Sequence, residues 1–251
     1  MITTESNLPA TSAGSLSNAA LDTAPPRSLQ VRLMYSWSVI FDWDGVIVDS
    51  SRQHEEAWET LAAELGHPVP RGFFKPSFGM KNDKVISELL RWTADPIEIE
   101  NIARAKEERF RTIARAEGIT VLPGVRAWLE TLRTAGVPCA IGSSAPRANI
   151  EFIIGDLGLR EFFRAIVCGE DVSRGKPNPE VFLTAAQRIG AAPSQSVVIE
   201  DAHVGIEAAR AAGMKVVAVT TTHPADSLSD ADLVLGGVHE LTLDRLAALF
   251  A

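Results

Sequence analysis

Six short apolar runs, spaced by helix-like stretches, limit this chain to very few architectures. They read SVIFD (38–42), VPCAIGSS (137–144), AIVCGE (165–170), SVVIED (196–201), KVVAVT (215–220) and ADLVLG (231–236). Each is a near-continuous hydrophobic run rather than an alternating one, the pattern of a strand covered on both faces. Between them, VRAWLETLRTAG (125–136), 149–157, 180–189 and 204–212 carry apolar residues at three-to-four spacing, and the first and last stop at Gly136 and Gly213. Strands alternating with helices predict βαβ units, hence an α/β fold with a parallel sheet and helices on both faces.

Residues 51–120 break that alternation. RQHEEAWETLAAELG, NDKVISELLRW and the stretch from Asp95 to Gly118 are all helix-like, with no strand pattern between them. We expect a small helical domain inserted after the first strand, tethered by two linkers and so able to hinge as a lid. The catalytic core then comprises 37–50 and 121–251. Residues 1–36, rich in Ser, Thr, Ala and Pro and without periodicity, read as a disordered tail lacking the basic start and apolar stretch of a secretory signal, and Met34 is an alternative start.

At 251 residues and 46% hydrophobic, the chain can bury a sizeable core. Its net charge of −8 argues against a nucleic-acid partner, which needs a basic stripe. No apolar run reaches the roughly 20 residues of a membrane span. The two cysteines, Cys139 and Cys168, lie inside apolar strands without zinc spacing, which predicts reduced, buried thiols in a cytoplasmic protein. A monomer or small homo-oligomer is expected.

In parallel α/β sheets, ligands bind at the carboxyl ends of the strands. The first strand ends at Asp42 and Asp44, the second at Ser143 and Ser144, and the fourth at Glu200 and Asp201, while Lys176 lies in the loop after the third. Each feature alone has a plain reading: a DxD is commonly a turn, a lone Lys a surface charge, GSS a turn, and Glu200–Asp201 a helix cap. Together, in order, they describe a site. Crowded carboxylates repel, and a hard cation such as Mg²⁺ relieves them. Asp42, Asp201 and a backbone carbonyl from the first loop suit that ion. Ser143, Lys176 and the backbone N–H groups around Gly45 suit phosphoryl oxygens. Asp42, fixed at a strand tip, is the candidate nucleophile. Asp44 is the candidate acid and base.

These motifs resemble those of the haloacid dehalogenase-like hydrolases over residues 37–251. FDWDGVIVDS is similar to that family's first motif, AIGSS to its second, GKPNPEVF to its third and VVIEDAHVGIEAARAAGM to its fourth. The resemblance implies a Rossmann-like core, a small helical cap at 51–120 and an aspartyl-phosphate intermediate on Asp42. It also implies phosphate contact by Ser143 and Lys176, and Mg²⁺ held by Asp42, Asp44, Glu200 and Asp201. An Asp at position 44 implies phosphatase or phosphomutase chemistry rather than dehalogenation.

HEEAW (54–58) resembles the start of the cap in β-phosphoglucomutase and its phosphatase relatives, where the His couples cap closure to proton transfer; the plain alternative is a polar residue near the hinge. In the loop FGMKNDKVI (78–86), the places where the mutase keeps a Lys and an Arg for a second phosphate hold Phe78 and Asn82. Lys81, Asn82, Ser144 and Arg147 remain as candidates to contact substrate, beside Gly45 and His54. The expectation is a Mg²⁺-dependent phosphatase of a small phosphorylated metabolite, a sugar phosphate by resemblance. The alternatives are a β-phosphoglucomutase-like mutase and a non-catalytic binding protein on the same fold, which the intact motif residues disfavour.

Overall fold

A computed structural model describes residues 35–251, so the tail expected over 1–36 and the alternative start at Met34 fall outside the described residues, apart from Tyr35 and Ser36. All six expected strands form: β1 (Ser38–Phe41), β4 (Cys139–Gly142), β5 (Ala165–Val167), β6 (Ser196–Glu200), β7 (Lys215–Val219) and β8 (Leu233–Leu235). They build one parallel sheet in the order β5-β4-β1-β6-β7-β8. The chain runs outward from β1 through β4 to β5, then returns to β6 and runs the other way. That reversal opens a crevice at the carboxyl end of β1.

The strands read as uniformly apolar because the sheet divides their residues between two buried faces. Val39, Phe41, Ile141, Val197, Ile199 and Val217 join one cluster, with Leu129 and Leu132 of α5 (Val125–Thr134) and Ile150 and Ile153 of α6 (Arg147–Asp156). Ile40, Ala140, Val198, Val216 and Ala218 join the other, with Phe182 of α7 (Glu180–Ile189) and Ile206 and Ala209 of α8 (His203–Ala211). Burying each such branched or aromatic side chain stabilises by about 1.5–3 kcal/mol. A terminal helix, α9 (Leu243–Ala248), closes the first face through Leu246.

Two further strands, β2 (Val48–Asp49) and β3 (Thr120–Val121), form a short antiparallel ribbon. The sequence pattern did not expose it, since two-residue strands carry no period. The ribbon brings the two ends of the intervening helical segment side by side. That segment holds α1 (Ser51–Leu65), α2 (Phe74–Ser77), α3 (Asn82–Lys84), a π turn over Val85–Leu89 and α4 (Pro96–Glu117). It has its own apolar cluster, centred on Trp58, Leu61, Phe73, Phe74, Val85 and Ile86. The π turn departs from the ordinary helix expected over 82–92. The N–H of Leu90 donates to the Val85 carbonyl at 2.8 Å, five residues back, which aligns Val85 and Leu90 on one buried face. Asp95 caps α4, accepting from the N–H groups of Ile97 and Glu98 at 2.8 and 3.3 Å, and Pro96 follows at the first helical position.

Candidate active site

The sheet itself fixes Asp42. Its N–H donates to the Ile199 carbonyl at 3.0 Å, continuing the β1–β6 ladder one residue beyond the strand. Ser143 is held likewise by the Val167 carbonyl. The loop after β5 carries Lys176 underneath them, fully buried. Its ammonium donates to Asp42 Oδ1 at 2.7 Å and Glu200 Oε1 at 2.6 Å, and lies 4.7 Å from the centre of the Phe182 ring. Glu200 Oε2 accepts the N–H groups of Asp201 and Ala202 at 2.7 and 2.8 Å. Both Glu200 oxygens are therefore engaged, which makes it first of all the clamp that orients Lys176.

Electrostatics follow from this burial. Desolvation pushes Asp42 up to about 7; Lys176 opposes the shift, and Glu200 and Asp44 add to it. Asp201 is raised well above the usual carboxylate range by burial, then by Glu200 and Asp42. Burial works against the charge of Lys176, but Asp42 and Glu200 override it and raise its pKa. One lysine thus balances three carboxylates, and the set lacks positive charge.

Residue geometry supports a hard cation here. Asp42, Glu200 and Asp201 each offer a carboxylate oxygen within 4.8 Å of the others. Asp201 Oδ2 accepts from the Thr222 hydroxyl, whereas Asp201 Oδ1 is buried with no hydrogen-bond partner. A buried carboxylate oxygen left unpaired is costly, and an all-oxygen donor set of this kind suits Mg²⁺. Gly45 leaves the room: with φ +79°, it approaches so closely that a methyl group there would lie 2.0 Å from Asp201 Oδ2.

Asp44 sits on the other side of the crevice. It accepts from the Ser50 hydroxyl at 2.5 Å, and His54 Nε2 of α1 lies 3.4 Å from the same Oδ1. Burial works to raise its pKa, but His54, Ser50 and Lys106 outweigh it and hold the carboxyl below its usual value. Asp44 is therefore a carboxylate before substrate arrives. His54 stacks on Phe110 of α4, ring centres 3.7 Å apart, and its Nδ1 lies 2.7 Å from Lys106 Nζ. Lys106 also donates to Glu107 at 2.9 Å. Burial works to raise the Glu107 carboxyl, but Lys106, His54 and Asn82 lower it to about 2.

A cavity of about 790 Å³ lies between the helical segment and the sheet, lined by Asp42, Asp44, His54, Lys106, Glu107, Arg111, Ser143 and Ser144 among others. Several residues expected to touch substrate are directed elsewhere. The N–H of Gly45 is taken by the Val48 carbonyl at 2.9 Å, so it does not face a phosphate. Lys81 is among the residues lining the cavity, but its ammonium donates to the carbonyls of Gly169 and Val172 at 3.0 and 3.5 Å. The Ser144 hydroxyl donates to the Gly79 carbonyl at 2.8 Å. Asn82 donates to Glu107 at 2.7 Å. Arg147 pairs with Asp171 at 2.5 Å and is not among the residues lining the cavity.

Sequence reasoning missed Lys106, Glu107, Arg111, Asn149, Thr221 and Thr222. For Lys106 a signal existed: it falls four residues after Ile102 and four before Phe110, a charged residue on the apolar stripe of α4. Thr221 and Thr222 follow β7, where the strand-end rule itself pointed.

A family model for the haloacid dehalogenase-like hydrolases matches residues 38–213, and the chain belongs to that family. It is 37% identical over 227 residues to the chloroplastic 5-amino-6-(5-phospho-D-ribitylamino)uracil phosphatase of Arabidopsis thaliana, covering 89% of this chain and 61% of that protein. It therefore spans about three fifths of that relative. It is 35% identical over 208 residues to hexitol phosphatase A of Escherichia coli, covering 82% and 93% of the two chains. Among solved structures, β-phosphoglucomutase from Clostridium difficile superposes with a TM-score of 0.77 at 25% identity, over 86% of this chain and 97% of that one.

Proposed function

We propose that the protein is a Mg²⁺-dependent phosphatase of a small phosphorylated metabolite, a sugar or polyol phosphate, with the helical segment 51–120 acting as a cap over the core. The observation that carries this reading is the meeting of Asp42, Asp44 and Ser143 at one cavity wall with Lys176, Glu200 and Asp201 packed against them, while the two cations the sequence offered for a second phosphate are engaged elsewhere. Lys81 clasps backbone carbonyls and Arg147 pairs with Asp171, so neither is placed to hold the second phosphate that a mutase needs. The buried, unpaired thiols of Cys139 and Cys168 support a cytoplasmic location.

In this reading Asp42 attacks phosphorus, the bond to the ester oxygen breaks, and a phosphoryl group is carried on the Asp42 carboxylate. Asp44 delivers a proton to the departing oxygen. It starts ionised, and the substrate's own anionic charge beside it raises its affinity for that proton. A phosphate monoester, whose second pKa is about 6, can bring the proton with it. Asp44 then takes a proton from water as that water attacks phosphorus, the Asp42–phosphorus bond breaks, and free phosphate leaves. Lys176, aimed by Glu200, holds Asp42 in place and offsets phosphoryl charge, and the Ser143 hydroxyl binds a phosphoryl oxygen. Asp42, Asp201 and the Asp44 carbonyl would hold Mg²⁺, with Glu200 beside them, and the ion would offset charge on the phosphoryl oxygens.

The test is phosphate release, with and without Mg²⁺, from glucitol 6-phosphate, fructose 1-phosphate, ribitol 5-phosphate and β-glucose 1-phosphate, with glucose 6-phosphate followed in parallel. We expect Mg²⁺-dependent phosphate release from one or a few of these esters, and Asp42→Asn to abolish it while the circular-dichroism spectrum stays unchanged. Glucose 6-phosphate accumulating without free phosphate would replace this reading with the mutase.

A further inference from the structure

We propose that Glu107 is a positioning residue: through it, contact between α4 and α6 sets Lys106, and Lys106 sets the His54–Asp44 pair that moves the proton. The inference rests on the phosphatase reading and adds to it a link from the proton-transfer pair to the core.

A lysine ammonium only donates. Lys106 therefore uses His54 Nδ1 as an acceptor at 2.7 Å, and the bonding pattern assigns the ring proton to Nε2, which faces Asp44 Oδ1 at 3.4 Å. The ring plane is fixed by stacking on Phe110, with 1° between the two planes. Lys106 is buried and needs a compensating charge, which Glu107 supplies at 2.9 Å. Glu107 is in turn held from both sides. Asn82, from the helical segment, donates to its Oε1 at 2.7 Å, and Asn149, from α6 of the core, donates to its Oε2 at 2.5 Å. The carbonyl oxygen of Asn149 accepts from Arg111, one turn further along α4, at 2.9 Å. One core amide thus reads a carboxylate and a guanidinium on α4 at once. If α4 withdraws, Glu107 loses a partner in a buried place, and the chain of contacts to Asp44 loses its anchor.

The experiment uses the full chain with Mg²⁺ and two kinds of ester, in single turnovers at saturating substrate. One is whichever sugar or polyol phosphate of the panel above reacts fastest, whose alkoxide must be protonated as it leaves. The other is p-nitrophenyl phosphate or acetyl phosphate, whose leaving group departs as a stable anion. Glu107→Gln keeps the shape and removes the charge. We expect it to slow leaving-group release from the alkyl ester by about 10²-fold, the lower end of what general acid catalysis contributes, and to change release from the activated ester less than about threefold. Equal loss on both esters, or no loss on the alkyl ester, overturns the inference. If Glu107→Gln does not fold, Asn149→Ala carries the test. It must show the same selectivity for the alkyl ester at smaller size, and its absence overturns the inference. Wild-type protein that releases phosphate from neither ester instead defeats the phosphatase reading itself, so the two failures are distinguishable.

Discussion

Lys176 is the residue on which the most charge converges. It is wholly buried between Asp42 and Glu200, and a third carboxylate, Asp201, stands beside them. A buried ion pair is weak evidence of net stability, but removing one partner from it is expensive, about 3–5 kcal/mol, because the remaining charges stay buried without compensation. Lys176→Met preserves volume and removes the ammonium. We expect it to lower unfolding free energy in urea by that amount and to abolish phosphate release. A variant that kept wild-type stability would mean that Asp42 and Glu200 do not depend on this lysine. An arginine would not substitute, since its wide planar fork does not fit a fully packed site built around a compact ammonium.

At the scale of elements, α8 gives a prediction whose sign separates local propensity from tertiary contact. Gly205 lies in the first turn of that helix, where alanine is better than glycine by roughly 1 kcal/mol on propensity alone. A methyl group there would lie 1.7 Å from Glu200 Oε1 and displace the carboxylate that aims Lys176. We therefore expect Gly205→Ala to destabilise the protein and to depress activity, against the propensity trend. Calorimetry of the variant decides it: a raised melting temperature would show that Glu200 moves aside freely. The helices also differ in what their buried stripes hold. α7 buries Val181, Phe182, Ala185 and Ala186, all apolar, whereas α4 buries Lys106 and Glu107 between Ile102 and Phe110. The first stripe serves packing, and the second brings ionised groups to a cavity wall.

For the whole molecule, a net charge of −8 sits oddly with an anionic substrate until the placement of charge is considered. Lys106 and Arg111 line one cavity and Lys176 lies behind its Asp42 wall, so the local field there differs from the average. Three buried carboxylates, Asp42, Glu200 and Asp201, gathered around one lysine predict a stability effect distinct from catalysis. Mg²⁺ at about one hundred times its Kd should raise unfolding free energy by about 2.7 kcal/mol, and a chelator should remove that gain. Asp201→Asn should abolish the response, because Asp201 Oδ1 is the buried oxygen left unpaired. A melting temperature insensitive to Mg²⁺ in the unsubstituted protein would dismiss the metal site. Among the described residues, no helix is long and apolar enough to cross a membrane.

The sequence by itself determined the sheet, its parallel sense and the residues at its strand ends. Those features are encoded locally: a buried strand must be apolar throughout, and the residue after it emerges at the carboxyl edge wherever the strand lies. Hence Asp42, Ser143, Lys176, Glu200 and Asp201 were all legible from SVIFD, AIGSS, GKPNPE and SVVIED. Only the tertiary structure decided where long side chains point. Lys81, Ser144 and Arg147 looked free as letters, yet each finds a backbone carbonyl or a carboxylate supplied by a segment 24 to 91 residues distant. The link from Asp44 through His54, Lys106 and Glu107 to Asn149 crosses four separate segments, and no period along the chain records it. A strand's burial is set by its own composition, whereas a hydrogen bond between distant groups exists only once packing has brought donor and acceptor within about 3 Å.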